Sequence, residues 1–164
     1  MSDLVSSSTT TEKGVPGPLK DLFDILLSGS NGVELLAKKR PDYLRWVGEI
    51  AREGNPRMLT ELGHVVKTRF ADIGKSKLFS VMRAMARTMP ESTANVLFRY
   101  IFGGSGTGTW LATLTKKDNR EEIERASNIL WRIIELAPAE AVGKTFGELL
   151  AACAQAYPPE NRMN

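Results

Sequence analysis

The sequence predicts an all-α fold of about eight or nine helices. Apolar residues recur at three- and four-residue spacing through most of the chain, which is the period of an amphipathic helix. Prolines and glycines punctuate these segments, and no hairpin dipeptide stands between alternating strands. With 164 residues, 42% hydrophobic and 25% charged, the chain is long enough to bury a substantial core.

The first half of the chain predicts a flexible arm and then four helices. Residues 1–17 are rich in Ser and Thr without apolar periodicity, which is typical of a flexible segment. Leu19, Leu22, Phe23 and Leu26 predict a helix from Pro18 to about Ser28. Two further helices are predicted in NGVELLAKK (31–39) and PDYLRWVGEIARE (41–53), since Pro41 separates them. The fourth has Asn55 as its N-cap, Pro56 at its first position and an apolar face ending at Phe70.

The second half predicts a helix over Lys75–Met89, another from Pro90 to Phe102, a brief segment TWLATLT (109–115) and a long helix over Asn119–Leu136. In the first of these, one face carries Leu78, Phe79, Met82, Met85, Ala86 and Met89. The last helix is predicted to begin at Thr145, because Thr145 and Glu148 have capping-box spacing. Its apolar face contains Phe146, Leu149, Leu150, Cys153 and Tyr157.

The motifs that could carry catalysis are incomplete. Gly103 and Gly108 have phosphate-loop spacing, but Thr109 and Trp110 stand where lysine and a hydroxyl residue are required, so the stretch predicts a connector. His64 is the only histidine, which excludes a catalytic triad or a multi-histidine metal site. Cys153 is the only cysteine, which favours a buried structural thiol and a reducing compartment. We therefore expect no enzyme, no metal and no cofactor.

The charge distribution is the strongest functional signal. The net charge is +3, but residues 1–37 carry −3, residues 38–99 carry +7 and residues 100–164 carry −1. Within 21 residues that contain one acid, Asp72, lies a basic series: Lys67, Arg69, Lys75, Lys77, Arg83 and Arg87. This series is either a solvated helix face or a site for phosphates of RNA or acidic lipid head groups. The aromatic residues of this stretch, Phe70 and Phe79, fall on the apolar faces of their helices, so no aromatic interleaving suggests base stacking and sequence-specific recognition is not expected. No apolar run is long enough to cross a bilayer, so any membrane contact is expected at its surface.

Several stretches together resemble the orthomyxovirus (influenza-type) matrix protein in its N-terminal and middle domains. They are GPLK (17–20), NGVELLAKKRP (31–41), LTELGHVVKT (59–68) and APAEAVGKTFGELLAACAQ (137–155), in the family's order and at nearly its separations. The resemblance implies two helical-bundle subdomains, 18–69 and 90–164, joined by a basic linker helix, 70–89. It also implies a structural protein of the virion that self-associates beneath the envelope and bridges anionic lipid and the viral ribonucleoprotein. The implied locations are the host cytoplasm, the inner face of the plasma membrane and the nucleus.

The resemblance transfers some site residues and not others. The family's basic cluster before a phenylalanine falls on Lys75 and Lys77. Its later basic run would fall near the glycine loop and is absent there, with Lys116, Lys117 and Arg120 as its nearest replacement. In the family's Cys/Cys/His/His cluster only Cys153 is matched, since Leu150 replaces the other cysteine and no histidine follows. Zinc is therefore not expected. Family members carry a further C-terminal region, so this chain would be a piece of a longer protein or a divergent relative.

Three functional hypotheses follow. The first is a matrix protein whose basic face binds anionic membrane or RNA without sequence preference. The second is a sequence-independent RNA-binding or packaging protein that never meets a membrane. The third is a helical protein-interaction adaptor, which the methionine-rich face of residues 75–89 suggests, although that face is more simply explained as core.

Overall fold

The computed structural model describes residues 10–11, 15–29, 31–102 and 120–156, and the all-α prediction is confirmed within them. The only other regular structure in this part of the chain is a two-residue antiparallel pairing of Thr10–Thr11 with Val15–Pro16. The described helices number eight: α1 Gly17–Leu26, α2 Gly32–Lys39, α3 Pro41–Glu53, α4 Pro56–Ile73, α5 Lys75–Thr88, α6 Glu91–Phe102, α7 Arg120–Leu136 and α8 Ala139–Ala154. The predicted glycine connector, the TWLATLT segment, Lys116, Lys117, Tyr157 and most of the predicted arm lie outside the described residues.

The helix boundaries in the first half follow the predicted caps. The Asn55 side chain accepts hydrogen bonds from the backbone N–H groups of Arg57 (3.0 Å) and Met58 (3.2 Å), which satisfies two free donors of α4. Gly54 ends α3 in the left-handed conformation, with φ of 71°. Such a conformation favours glycine because it has no Cβ.

The predicted start of α8 is wrong. The helix begins at Ala139, six residues before Thr145, and the Val142 N–H already donates to the Pro138 carbonyl at 3.0 Å. Residues 139–144 contain good helix formers, and Pro138 is well placed just ahead of the first turn. The Glu148 carboxylate accepts a hydrogen bond from Lys144 Nζ at 3.1 Å, an ordinary side-chain pair one helical turn apart. The capping-box spacing of Thr145 and Glu148 therefore does not mark a helix start.

Helix α8 lies against α3 and α4, and small residues allow the backbones to touch. A Cβ placed on Gly63 of α4 would lie 1.8 Å from the Ala139 carbonyl oxygen, and one on Gly143 of α8 would lie 2.0 Å from the Leu59 carbonyl oxygen. Against α3, a Cβ on Gly48 would lie 2.9 Å from the Ala151 Cβ. Glycine is required where α4 and α8 cross, because any larger side chain would separate the helices.

The core runs through all the described helices. The Phe146 ring of α8 stacks on Phe23 of α1 (5.9 Å between centroids) and meets Phe70 of α4 at 5.7 Å. The methionine-rich face of α5 is buried in the same cluster, as the core interpretation predicts. This cluster contains residues from Leu19 to Ala154, so packing is continuous across the predicted boundaries. The division into the subdomains 18–69 and 90–164 with a linker helix at 70–89 stays a prediction.

Candidate anion-binding groove

Helix α5 carries most of the predicted basic series, and its surroundings determine which cations reach solvent together. It contacts α2, α4, α7 and α8. Val81 and Ala84 are buried in addition to the predicted apolar face, so more of the helix circumference is covered than its amphipathic pattern indicates. The basic side chains therefore emerge between neighbouring helices, in separate places rather than on one open face.

Two lysines of the series bind carbonyl groups at the ends of other helices. Lys67 Nζ donates to the Ile134 carbonyl in the last turn of α7. Lys77 Nζ donates to the Gly29 carbonyl, just beyond α1, at 2.9 Å. A cation stabilises the negative end of a helix dipole and satisfies carbonyls that have no partner within the helix. Both lysines thus hold helices together.

Arg69 forms an ion pair with α1. Its Nη2 lies 2.8 Å from Asp24 Oδ1, while Lys20 Nζ lies 3.0 Å from Asp24 Oδ2. Partial burial by itself raises the pKa of Asp24, but the hydrogen bonds from Arg69 and Lys20 outweigh it and hold that pKa below its ordinary value. The pair ties the C-terminal part of α4 to α1.

Three further cations of the predicted site, Lys75, Arg83 and Arg120, converge on an open groove between α5 and α7. The groove has a volume of about 530 Å³ and is lined by Lys75, Ser76, Phe79, Ser80, Arg83, Arg120, Glu124, Ser127 and Asn128. Predicted site residues from two segments far apart in sequence, 75–83 and the start of α7, therefore line one surface. We call this surface the α5–α7 groove.

An aromatic ring supports one of the three cations of the α5–α7 groove. The Arg120 guanidinium lies over the Phe79 ring, 5.1 Å from its centroid, and Phe79 is half-buried against the core. This cation–π contact orients Arg120 toward the groove. Among the described residues that line the groove, Lys75, Arg83 and Arg120 face one carboxylate, Glu124, so this described lining has a positive formal charge. A concave surface with excess positive charge raises the local concentration of anions.

Arg87 lies elsewhere. It lines a smaller cleft of about 230 Å³ between α2 and α5, together with Asn31, Glu34, Ala84 and Thr88. Glu34 there also pairs with Lys38 at 3.5 Å. The predicted basic series is thus divided among helix-end contacts, an ion pair, the α5–α7 groove and this second cleft.

Neither His64 nor Cys153 belongs to the α5–α7 groove. His64 is exposed on α4, on the polar side where the sequence predicts it. Cys153 is fully buried, as expected of a structural thiol, and its burial raises its pKa well above the ordinary value. Among the described residues, no three His, Cys, Asp or Glu side chains are grouped to hold a metal ion.

Sequence reasoning did not select the polar lining of the groove. On α7, Arg120, Glu124, Ser127 and Asn128 share one stripe because they lie at helical spacings of four and seven or eight residues. The stripe is visible in the sequence, but nothing in the sequence indicates that it faces α5.

The comparisons with known proteins leave the family open. No family model matches the chain, and no curated protein or solved structure matches it significantly. Within the described part of the chain, no helix combines the length and apolarity needed to cross a bilayer.

Proposed function

We propose that this chain is a viral matrix protein, a structural protein that binds anionic surfaces through the α5–α7 groove. In this proposal it self-associates beneath the envelope and bridges anionic lipid and the viral ribonucleoprotein. The observation that carries the proposal is the convergence of Lys75, Arg83 and Arg120 on one open groove. The collinear sequence motifs that resemble the orthomyxovirus matrix protein support it.

The energetics of such a surface favour an assembled layer. Each exposed cation attracts an anionic membrane by about 1 kcal/mol, an attraction that salt screens. A monomer whose groove holds two exposed cations, Lys75 and Arg120, and one half-buried cation, Arg83, therefore binds weakly. Copies linked side by side bind far more tightly, because each further contact becomes intramolecular. Self-association and anionic binding therefore reinforce each other.

An exposed apolar side chain close in sequence to Lys75 supports a membrane as the anionic surface. Ile73 is the last residue of α4, two residues before Lys75, and it is 41% exposed. An exposed apolar side chain next to cations suits the boundary between lipid head groups and acyl chains. RNA offers no equivalent apolar layer to this side chain, although its phosphates suit the cations equally well.

Co-sedimentation with vesicles tests the proposal. We expect binding to vesicles containing phosphatidylserine and none to neutral phosphatidylcholine vesicles, with weaker binding at moderate than at low salt. Arg120→Glu should weaken the binding, whereas Arg132→Glu, which reverses an exposed charge outside the groove on the same helix, should change it much less. Ile73→Ser should weaken vesicle binding and leave RNA binding unchanged.

Two outcomes would contradict the proposal. A salt-sensitive gel shift with RNA, without vesicle binding, would favour the alternative of a sequence-independent RNA-packaging protein. Equal vesicle binding by wild type and Arg120→Glu would exclude the α5–α7 groove as the anionic site.

A further inference from the structure

We infer that the α5–α7 groove takes a phosphorylated polyol, namely an inositol phosphate, either free or as the head group of a phosphoinositide lipid. The inference rests on the proposed function, because it concerns the same groove. It goes further by naming a compact ligand with several phosphate groups and free hydroxyls, in place of anionic charge in general.

The spacing of the cations suits several phosphates on a small frame. Lys75 and Arg83 lie eight residues apart on α5, which corresponds to about 12 Å along the helix axis. Arg120 enters from α7. Cations anchored at three separate points of the lining can each bind a different phosphate of one ligand through charge-assisted hydrogen bonds.

The carboxylate in the groove favours a ligand that also carries hydroxyls. Glu124 lines the same groove as the three cations and would repel a ligand composed only of anionic groups. A polyol hydroxyl can donate to this carboxylate while neighbouring phosphates bind the cations. Ser76 and Asn128 add further hydrogen-bonding groups. The Ser127 hydroxyl donates its hydrogen to the Ile123 carbonyl at 2.8 Å, so toward a ligand its oxygen can act only as an acceptor.

The aromatic residue of the groove argues against RNA as its ligand. Single-stranded RNA binds commonly by stacking its bases on exposed aromatic rings. Of the groove-lining residues that the structure describes, Phe79 is the aromatic one, and the Arg120 guanidinium lies over its ring, 5.1 Å from the centroid. A base could stack there only by displacing Arg120, which would remove one of the phosphate-binding cations.

Calorimetric titration of the full chain tests the inference, with inositol 1,4,5-trisphosphate as the polyol and inorganic tripolyphosphate as the anion without hydroxyls. We expect the polyol to bind about tenfold more tightly than tripolyphosphate. Arg83→Gln and Arg120→Gln should each weaken polyol binding by about tenfold, whereas the control Arg132→Gln should leave it unchanged. Glu124→Gln should tighten tripolyphosphate binding and so reduce the difference in affinity between the trisphosphate and tripolyphosphate.

Vesicles separate the two sources of the ligand. Tighter binding to phosphoinositide vesicles than to phosphatidylserine vesicles of equal charge would identify the lipid head group as the ligand. Equal binding to the two kinds of vesicle, with retained affinity for the soluble polyol, would identify the free inositol phosphate as the ligand. Equal affinity for trisphosphate and tripolyphosphate, or RNA displacing the trisphosphate from the groove, would overturn the inference. If phosphatidylserine vesicles still bind in that case, the proposed function stands, whereas loss of all anionic binding contradicts both.

Discussion

Replacing Gly63 with alanine tests the closest approach in the fold, the contact between α4 and α8. The added Cβ would lie 1.8 Å from the Ala139 carbonyl oxygen and 2.9 Å from its Cα. These are backbone atoms, so no side-chain rotation relieves the overlap. The helices would separate by about 1 Å, and α8 would lose packing against α3 as well, because close-packed interiors transmit such shifts.

The expected magnitude is the balance of two effects. Alanine in place of glycine within a helix stabilises it by about 1 kcal/mol. Overpacking a tight interface costs typically about 1–3 kcal/mol, and backbone overlap lies at or beyond the upper end of that range. We therefore expect the free energy of unfolding to fall by about 2 kcal/mol or more, which lowers Tm by about 4–8 °C in a chain of this size.

Urea unfolding followed by circular dichroism measures this change, and Gly147→Ala is the matched control. A Cβ on Gly147 would meet only side chains, the Ala51 Cβ at 3.2 Å and Leu62 Cδ2 at 3.3 Å. The free energy of unfolding of the control should lie within about 1 kcal/mol of the wild-type value, because the higher helix propensity of alanine offsets a small steric cost. A Gly63→Ala protein as stable as wild type would refute the α4–α8 contact.

Three further predictions concern stability and reactivity. Lys67→Met keeps the aliphatic stem but loses the bond to Ile134, so it should lower the free energy of unfolding by about 1–2 kcal/mol in urea and leave vesicle binding intact. Asp24→Asn should cost less than about 1 kcal/mol at pH 7, because the ion pair with Arg69 is exposed. Since the folded-state pKa of Asp24 is lowered, its stabilisation is present above the ordinary value of 3.8 and is lost as pH falls below it, so the two proteins should converge in acid unfolding. Cys153 should react with a thiol reagent only as the protein unfolds, because the buried thiol is inaccessible and its pKa is raised; fast native labelling would contradict its burial.

Much of the fold could be predicted from local sequence. Asn55 and Gly54 have the chemistry that their cap positions require, and the methionines of α5 recur at the helical period, so these features needed no knowledge of distant residues. The start of α8 could not be predicted reliably from spacing alone, because two residues with capping-box spacing also suit the middle of a helix. The tight crossing at Gly63 depends on how α4 and α8 pack, which local patterns do not encode.

The candidate site was predictable in its charges and not in its assembly. Lys75, Arg83 and Arg120 were selected as cations, but only tertiary packing brings them to one groove. Packing also removes Lys67 from that groove, because its amine lies within reach of the end of α7. A lysine that caps a helix and a lysine that binds a ligand have the same appearance in a sequence.

The central claim is that the α5–α7 groove is the anion-binding surface, and removing its charges together tests this most directly. The measurement is the salt dependence of binding to phosphatidylserine vesicles by the triple variant Lys75→Gln/Arg83→Gln/Arg120→Gln. Its control, Arg52→Gln/Arg57→Gln/Arg132→Gln, removes the same net charge from exposed positions outside the groove. We predict that the groove variant loses binding and its salt dependence while the control retains both. Equal loss in the two variants would show that net charge, and not the groove, determines binding.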